Sequence, residues 1–282
     1  MRILLIGKNQ IDSGKTTMGR ILINLLKKDN IHLIPFKPHS GFNYWYHYDH
    51  LKYCLKIGNL FSRDVYHLLK ETDNFGKINP VILNPVHRIN GPSGKILQNF
   101  YMDQVFLLRF SCITNGEIKT KYYRNERHTG IKKIIKQIES IYKNNQIEKF
   151  RTLEQLEKII TDNYMRCIKS CFSYLIKNYE DILIEAFDDI AYPFLEIEKY
   201  IDVLILVSPG KLYLLDTKRY FQKCFLKSSF QGMFQLTVPS IVDDSMILEE
   251  MELAPLENTD SLDPKEILEK YRGIKSLIFN HM

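Results

Sequence analysis

Two kinds of apolar spacing alternate along the first forty residues. Arg2–Ile6 is a short continuous apolar run, the pattern of a strand buried on both faces of a parallel sheet. From Thr16 to Lys28 the apolar residues Met18, Ile21, Leu22, Leu25 and Leu26 recur at three- and four-residue steps. That spacing predicts a helix, closed by Lys27-Lys28-Asp29-Asn30. Ile31–Phe36 is a second strand pattern. A strand, helix and strand in this order predict a right-handed crossover and a parallel sheet.

Farther on, residues 50–73 read as helical and Ile78–Pro85 as a short strand, with a turn at Gly91-Pro92-Ser93-Gly94. Lys132–Lys177 predicts two long helices rich in Lys and Glu, the bulk of a helical insertion near 120–178. Asp181–Glu185 and Ile201–Val207 return to the buried-strand pattern, and Gln235–Ile241 and Ser276–Phe279 give weaker strand signals. No repeat or low-complexity linker interrupts the chain. The expectation is therefore one α/β domain over 1–282, a mostly parallel twisted sheet with helices on both faces.

Composition changes this picture little. Apolar residues make up 45% and charged residues 26%, which excludes disordered and fibrous classes. No apolar run approaches the roughly 20 residues that span a bilayer, so no membrane partner is expected. Arg2–Ile6 passes straight into Gly7 without the longer apolar stretch of a signal peptide, which points to the cytoplasm. Five cysteines without a C-x-x-C pair fit buried thiols in a reduced protein. The net charge of +6 is uneven: residues 117–151 hold ten Lys or Arg against four acids, and residues 243–270 hold ten acids against two lysines. The basic segment suits either a solvated face or contact with phosphates.

Candidate chemistry begins at Gly7-Lys-Asn-Gln-Ile-Asp-Ser-Gly-Lys-Thr-Thr17, between the first strand and its helix. A loop ending in Gly-Lys-Thr at that place can wrap its amides around a phosphate, aided by the helix dipole. Asn9, Gln10, Asp12, Ser13, Gly14, Lys15, Thr16 and Thr17 are the candidate nucleotide contacts. Lys15 would bridge the β- and γ-phosphates of ATP, and the Thr16 hydroxyl would take a position on Mg²⁺. The spacing departs from the usual loop, whose first glycine falls where this chain has Asn9.

Later segments extend the constellation. Lys37, in Pro35-Phe-Lys-Pro-His-Ser-Gly41, follows the second strand and would face the γ-phosphate. Glu185 closes the strand Ile182-Leu-Ile-Glu185 and can hold Mg²⁺ or its water, while Asp188 and Asp189 suit capping of the next turn. Taken in order, Gly-Lys-Thr, Phe-Lys-Pro-x-Ser-Gly, Ile-Asn-Pro-Val-Ile-Leu-x-Pro and Ile-Glu-Ala resemble the dethiobiotin synthetase and cobyric acid synthase family of P-loop NTPases. The resemblance covers about residues 1–90 and 180–210. It implies the P-loop NTPase fold, often as a homodimer, and ATP with Mg²⁺ used to activate a carboxylate-type group. It also implies Lys15 and Lys37 on the transferring phosphoryl group, Thr16 and Glu185 on the metal, and Asp49 as a further metal-binding acid. Glu185-Ala-Phe-Asp departs from the family's Glu-Gly-Ala-Gly, and the chain has no room for a glutaminase domain.

Phe42-Asn-Tyr-Trp-Tyr-His-Tyr-Asp-His50 closely follows Lys37 and holds the only tryptophan. With Ser40, the side chains of Trp45, His47 and His50 are candidate substrate contacts, by stacking or proton exchange; closing of the core is the competing reading.

Three functions fit these residues. The first is ATP-dependent phosphorylation or ligation of a small acceptor by Lys15, Lys37 and Mg²⁺. The second is a polynucleotide 5′-kinase acting on RNA ends, whose loop Ile11-Asp-Ser-Gly-Lys-Thr16 resembles. The third is a non-enzymatic nucleotide switch that regulates a partner protein.

Overall fold

The computed structural model describes residues 1–10, 13–92, 104–142, 147–230, 232, 235–259 and 261–281. Its first elements are β1 (Arg2–Gly7), α1 (Lys15–Lys27), β2 (Ile34–Phe36), β3 (His39–Asn43), α2 (Tyr48–Ile57), α3 (Arg63–Lys70) and α4 (Pro80–Leu83). Then follow β4 (Val86–Asn90), β5 (Val105–Thr114), β6 (Glu117–Asn125), α5 (Lys132–Ile141), β7 (Ile147–Phe150) and α6 (Leu153–Asn178). The remainder comprises β8 (Ile182–Glu185), β9 (Val203–Ser208), β10 (Lys211–Leu215), α7 (Thr217–Ser228), α8 (Val238–Ile241), β11 (Ile247–Glu252), α9 (Pro264–Tyr271) and α10 (Gly273–Phe279). They gather into two compact units: Met1–Pro38, His67–Lys77 and Ile176–Met282 form the first, His39–Tyr66 and Ile78–Leu175 the second.

The first unit is built on a six-stranded sheet in the order β11-β10-β9-β1-β8-β2. Strands β9, β1, β8 and β2 run parallel, and β10 and β11 add an antiparallel edge. The continuous apolar runs predict the parallel strands because both faces are covered. Ile3 and Leu5 of β1, Leu183 of β8 and Ile205 of β9 pack into one cluster with Met18, Leu22 and Leu25 of α1. Ile267, Tyr271, Ile274 and Ile278 of the last two helices join it at helical spacing. Ser276–Phe279 is therefore helix and not strand. The same correction applies to Gln235–Ile241: Thr237 makes one bridge to Ile190, and Val238–Ile241 is a helical turn with Pro239 in its first turn, a place proline tolerates.

The second unit carries a five-stranded mixed sheet, β3-β4-β5-β6-β7. The two helices expected over Lys132–Lys177 are present as α5 and α6, but β6 and β7 are strands within the segment expected to be helical. High charge in Glu117–Lys121 masks the strand, which is exposed over its first half, Lys119 and Lys121 included, and buried at Tyr122 and Tyr123 farther on. The expected strand Ile78–Pro85 is the helical turn α4: Asn79 caps the amide of Val81 at 3.2 Å, and Pro80 is pre-set for the first helical position. Cys112 of β5 and Cys167 of α6 form a disulfide, with their Cα atoms 4.3 Å apart. This corrects the expectation of reduced thiols throughout; a sequence separation of 55 hides the pairing. Cys54, Cys171 and Cys224 are buried thiols. Among the described residues no helix is long and apolar enough to cross a membrane.

Candidate functional site

Strand alternation and parallel register bring the site together in the first unit. Ile3 and Leu5 face α1, so the next residue on that side of β1 is Gly7. On β8 the same side carries Leu183 and then Glu185, and Leu5 pairs with Glu185 in register. On β2 it carries Pro35, and Lys37 follows just past the strand. Gly7, Glu185 and Lys37 thus stand at the carboxyl ends of three adjacent parallel strands, where open α/β sheets bind ligands.

Glu185 is the meeting point. Its Oε1 accepts the Thr16 hydroxyl at 2.8 Å and the Lys37 Nζ at 2.5 Å. The Lys37 and Glu185 side chains are 5% and 1% exposed, so the ion pair is shielded from solvent. The second carboxylate oxygen, Oε2, is buried without a hydrogen-bond partner. An orphaned anionic oxygen costs free energy and makes the group a ready acceptor for a cation or its water. One hydroxyl and one carboxylate with a spare oxygen suit Mg²⁺, which binds few protein oxygens and keeps waters or phosphates for the rest. Among the described residues no three His, Cys, Asp or Glu side chains cluster as a metal cage.

Lys15 opens α1 yet is only 7% exposed. Its Nζ donates to Ser13 Oγ at 2.9 Å and to the Asp188 carbonyl at 2.6 Å. Asp188 has φ 47°, in the left-handed region that Asp tolerates better than most residues. Its carbonyl, rather than a capping carboxylate, is what the site uses, and a backbone acceptor leaves no mark in sequence. A Cβ at Gly7 would stand 2.3 and 2.5 Å from Ser13 Oγ and Lys15 Nζ, so a larger residue would have to displace both side chains from the site. Gly14 precedes the helix at φ 86°, with no side-chain cap and no acid in the first turn. The first-turn amides of α1 are left to other acceptors. Asn9 and Gln10 are exposed, Thr17 is half-buried, and Asp12 lies outside the described residues.

A cavity of about 300 Å³ adjoins the loop and is lined there by Ser13, Gly14 and Thr17. Val207 and Pro209 at the end of β9, with Leu253 and Tyr271, supply apolar walls. In sequence, residues 243–270 stand out only by their acidic charge, and nothing there marks the cavity wall at Leu253.

The remaining candidates lie in the second unit. Ser40 is fully buried, its hydroxyl 2.9 Å from both Asn84 Oδ1 and His87 Nδ1. His50 Nε2 donates to the Phe61 carbonyl at 2.8 Å, and the ring packs against Phe42 and Phe61, so it closes the core. Burial holds the pKa values of His50 and His47 below the usual 6.5. Asp49 is exposed in the first turn of α2, and Trp45 is 58% exposed. Comparisons with protein-family models, curated proteins and solved structures find no match.

Proposed function

We propose that this chain has a P-loop NTPase fold, binds ATP with Mg²⁺ at Gly7–Thr17, and transfers the γ-phosphoryl group to, or uses it to ligate, a small acceptor. One observation carries the reading: Thr16 and Lys37 converge on one oxygen of Glu185, with Lys15 held in place beside Gly7. The first-turn amides of α1 suit the phosphates, and the 300 Å³ apolar cavity against the same loop suits a nucleoside. Thr16 and Glu185 would hold the metal, which supplies charge neutralisation at the phosphates when bound. Lys15 would exchange the neutral Asp188 carbonyl for a phosphate oxygen, a bond between two charges, and Lys37 would turn to phosphate once the metal balances the Glu185 charge.

The test is phosphate release from ATP with Mg²⁺ and with a chelator in its place. Turnover should depend on Mg²⁺, and Thr16→Ala or Glu185→Gln should lower it by two orders of magnitude or more. Metal-independent turnover that both variants retain would remove the proposal.

A second reading, a kinase acting on RNA 5′ ends, draws on charge. The second unit's sequence carries nineteen Lys and Arg against ten Asp and Glu, a net +9, leaving −3 for the first. RNA binding that falls steeply with salt supports this acceptor, and salt-independent binding counts against it.

A further inference from the structure

The second unit has a cavity of its own, about 100 Å³ in volume, bordered by the β5–β6 hairpin and by α6. Thr114, Lys119 and Lys121 line it from the hairpin, Asn163 and Arg166 from the helix. The Cys112–Cys167 disulfide also borders it and ties the strand to the helix. Lys119 and Lys121 are two residues apart on one strand, so the pleat turns both to the same face, with Cα atoms about 6.7 Å apart.

The lining supplies donors and no carboxylate. Arg166 donates one N–H to Asn163 Oδ1 at 2.8 Å, and Asn163 Nδ2 donates to the Tyr123 hydroxyl at 3.2 Å. These bonds fix the amide and one edge of the guanidinium, and leave the other Arg166 donors for a ligand. Lys119 and Arg166 make no ion pair among the described residues; Lys121 stands 3.7 Å from Glu148, with both groups about half exposed. An exposed pair of that kind is weak and readily exchanged. Glu148 and Asp162 are close enough to act on neighbouring Tyr123, and Glu117, paired with Thr114, shares the face of Lys119 and Lys121, but none of the three acids lines the cavity.

We propose that this cavity binds a phosphate group, held by Lys119, Lys121 and Arg166 with help from the Thr114 hydroxyl. Three cations and a hydroxyl match an anion with several acceptor oxygens, and the guanidinium fork matches two of them at once. The volume, a few waters' worth, takes the phosphate and leaves any larger moiety outside. The +9 charge of the unit raises the local concentration of anions. The site is independent of the nucleotide reading, since every lining residue belongs to the second unit.

The test is a titration of ¹⁵N-labelled Lys15→Ala protein with inorganic phosphate, a background in which the Gly7–Thr17 loop is disabled. The Asn163 side-chain amide and the backbone amides of Thr114 and Lys119 should shift and saturate, whereas chloride at equal ionic strength should not move them. Lys119→Ala with Arg166→Ala should weaken the fitted affinity tenfold or more. Lys119→Arg should retain it, as should Lys133→Ala, which removes an exposed cation of α5. Shifts that chloride reproduces, or an affinity unchanged in the double variant, would overturn the site. Beyond the shared Lys15→Ala background these variants alter exposed side chains, so loss of binding is read against an intact amide spectrum.

Discussion

Lys37 Nζ and Glu185 Oε1 stand 2.5 Å apart, both withdrawn from solvent, at the carboxyl ends of the neighbouring parallel strands β2 and β8. A buried pair of this kind is weak evidence for stability, because desolvation offsets most of the attraction. Its placement is informative instead. Glu185 also receives the Thr16 hydroxyl, so a single carboxylate oxygen joins the start of α1 to Lys37 and leaves its twin orphaned.

Removing either partner should strand the other charge. Glu185→Leu or Lys37→Met alone is expected to cost about 3–5 kcal/mol. The double variant Lys37→Met/Glu185→Leu should recover much of that loss, because apolar groups replace both charges. Urea denaturation measures the cycle; strictly additive losses would show that the pair is not coupled.

The two glycines of the loop should fail differently. Gly7→Ala places a methyl against Ser13 Oγ and Lys15 Nζ, and so should cut nucleotide affinity at least tenfold while leaving most of the fold intact. Gly14→Ala meets only Val207 at 3.7 Å, so its cost is the left-handed backbone, about 1–2 kcal/mol in stability. Binding and thermal-melting measurements on both separate the effects.

What could be read from sequence followed from burial on two faces. Ile3–Ile6, Ile182–Ile184 and Val203–Val207 are apolar throughout because helices cover both sides of their sheet, and that pattern survives without knowledge of partners. The same alternation places Gly7, Glu185 and Lys37 at strand ends, so the site's side chains were legible. The Asp188 carbonyl was not, being backbone. The second unit's sheet was obscured because Glu117–Asn125 buries only part of its length, and its solvated positions are filled with charge. The short apolar runs Val81–Leu83 and Ser276–Phe279 are too brief to distinguish strand from helix by period alone. Caps and helix packing decide them.

The Cys112–Cys167 disulfide should contribute measurably. Closing a loop of this length stabilises by about 4 kcal/mol in the chain-entropy account. Cys112→Ser, or treatment with a reductant, should lower the melting temperature, and the reductant should add nothing to the variant. Equal melting with and without reductant would contradict the bond.

Stability should also fall in mild acid. Burial, and then the nearby Arg109 charge, hold the His87 pKa well below 6.5, and burial lowers that of His50. Both are favoured as neutral when folded, whereas the unfolded chain takes up protons below about pH 6.5. The unfolded state therefore binds more protons in that window, and stability drops as pH falls, by up to ~1.4 kcal/mol per pH unit for each histidine. Above the window the contribution is flat. Urea midpoints from about pH 7.5 down to 5 read the slope, and His87→Asn should make it shallower.

The most direct test of the central claim is calorimetric titration with a non-hydrolysable ATP analogue and Mg²⁺, comparing the parent protein with Lys15→Ala. The account predicts saturable binding that raises the melting temperature by mass action, with affinity at least tenfold weaker in the variant. Absence of binding in the parent protein, or equal binding in both, would contradict it.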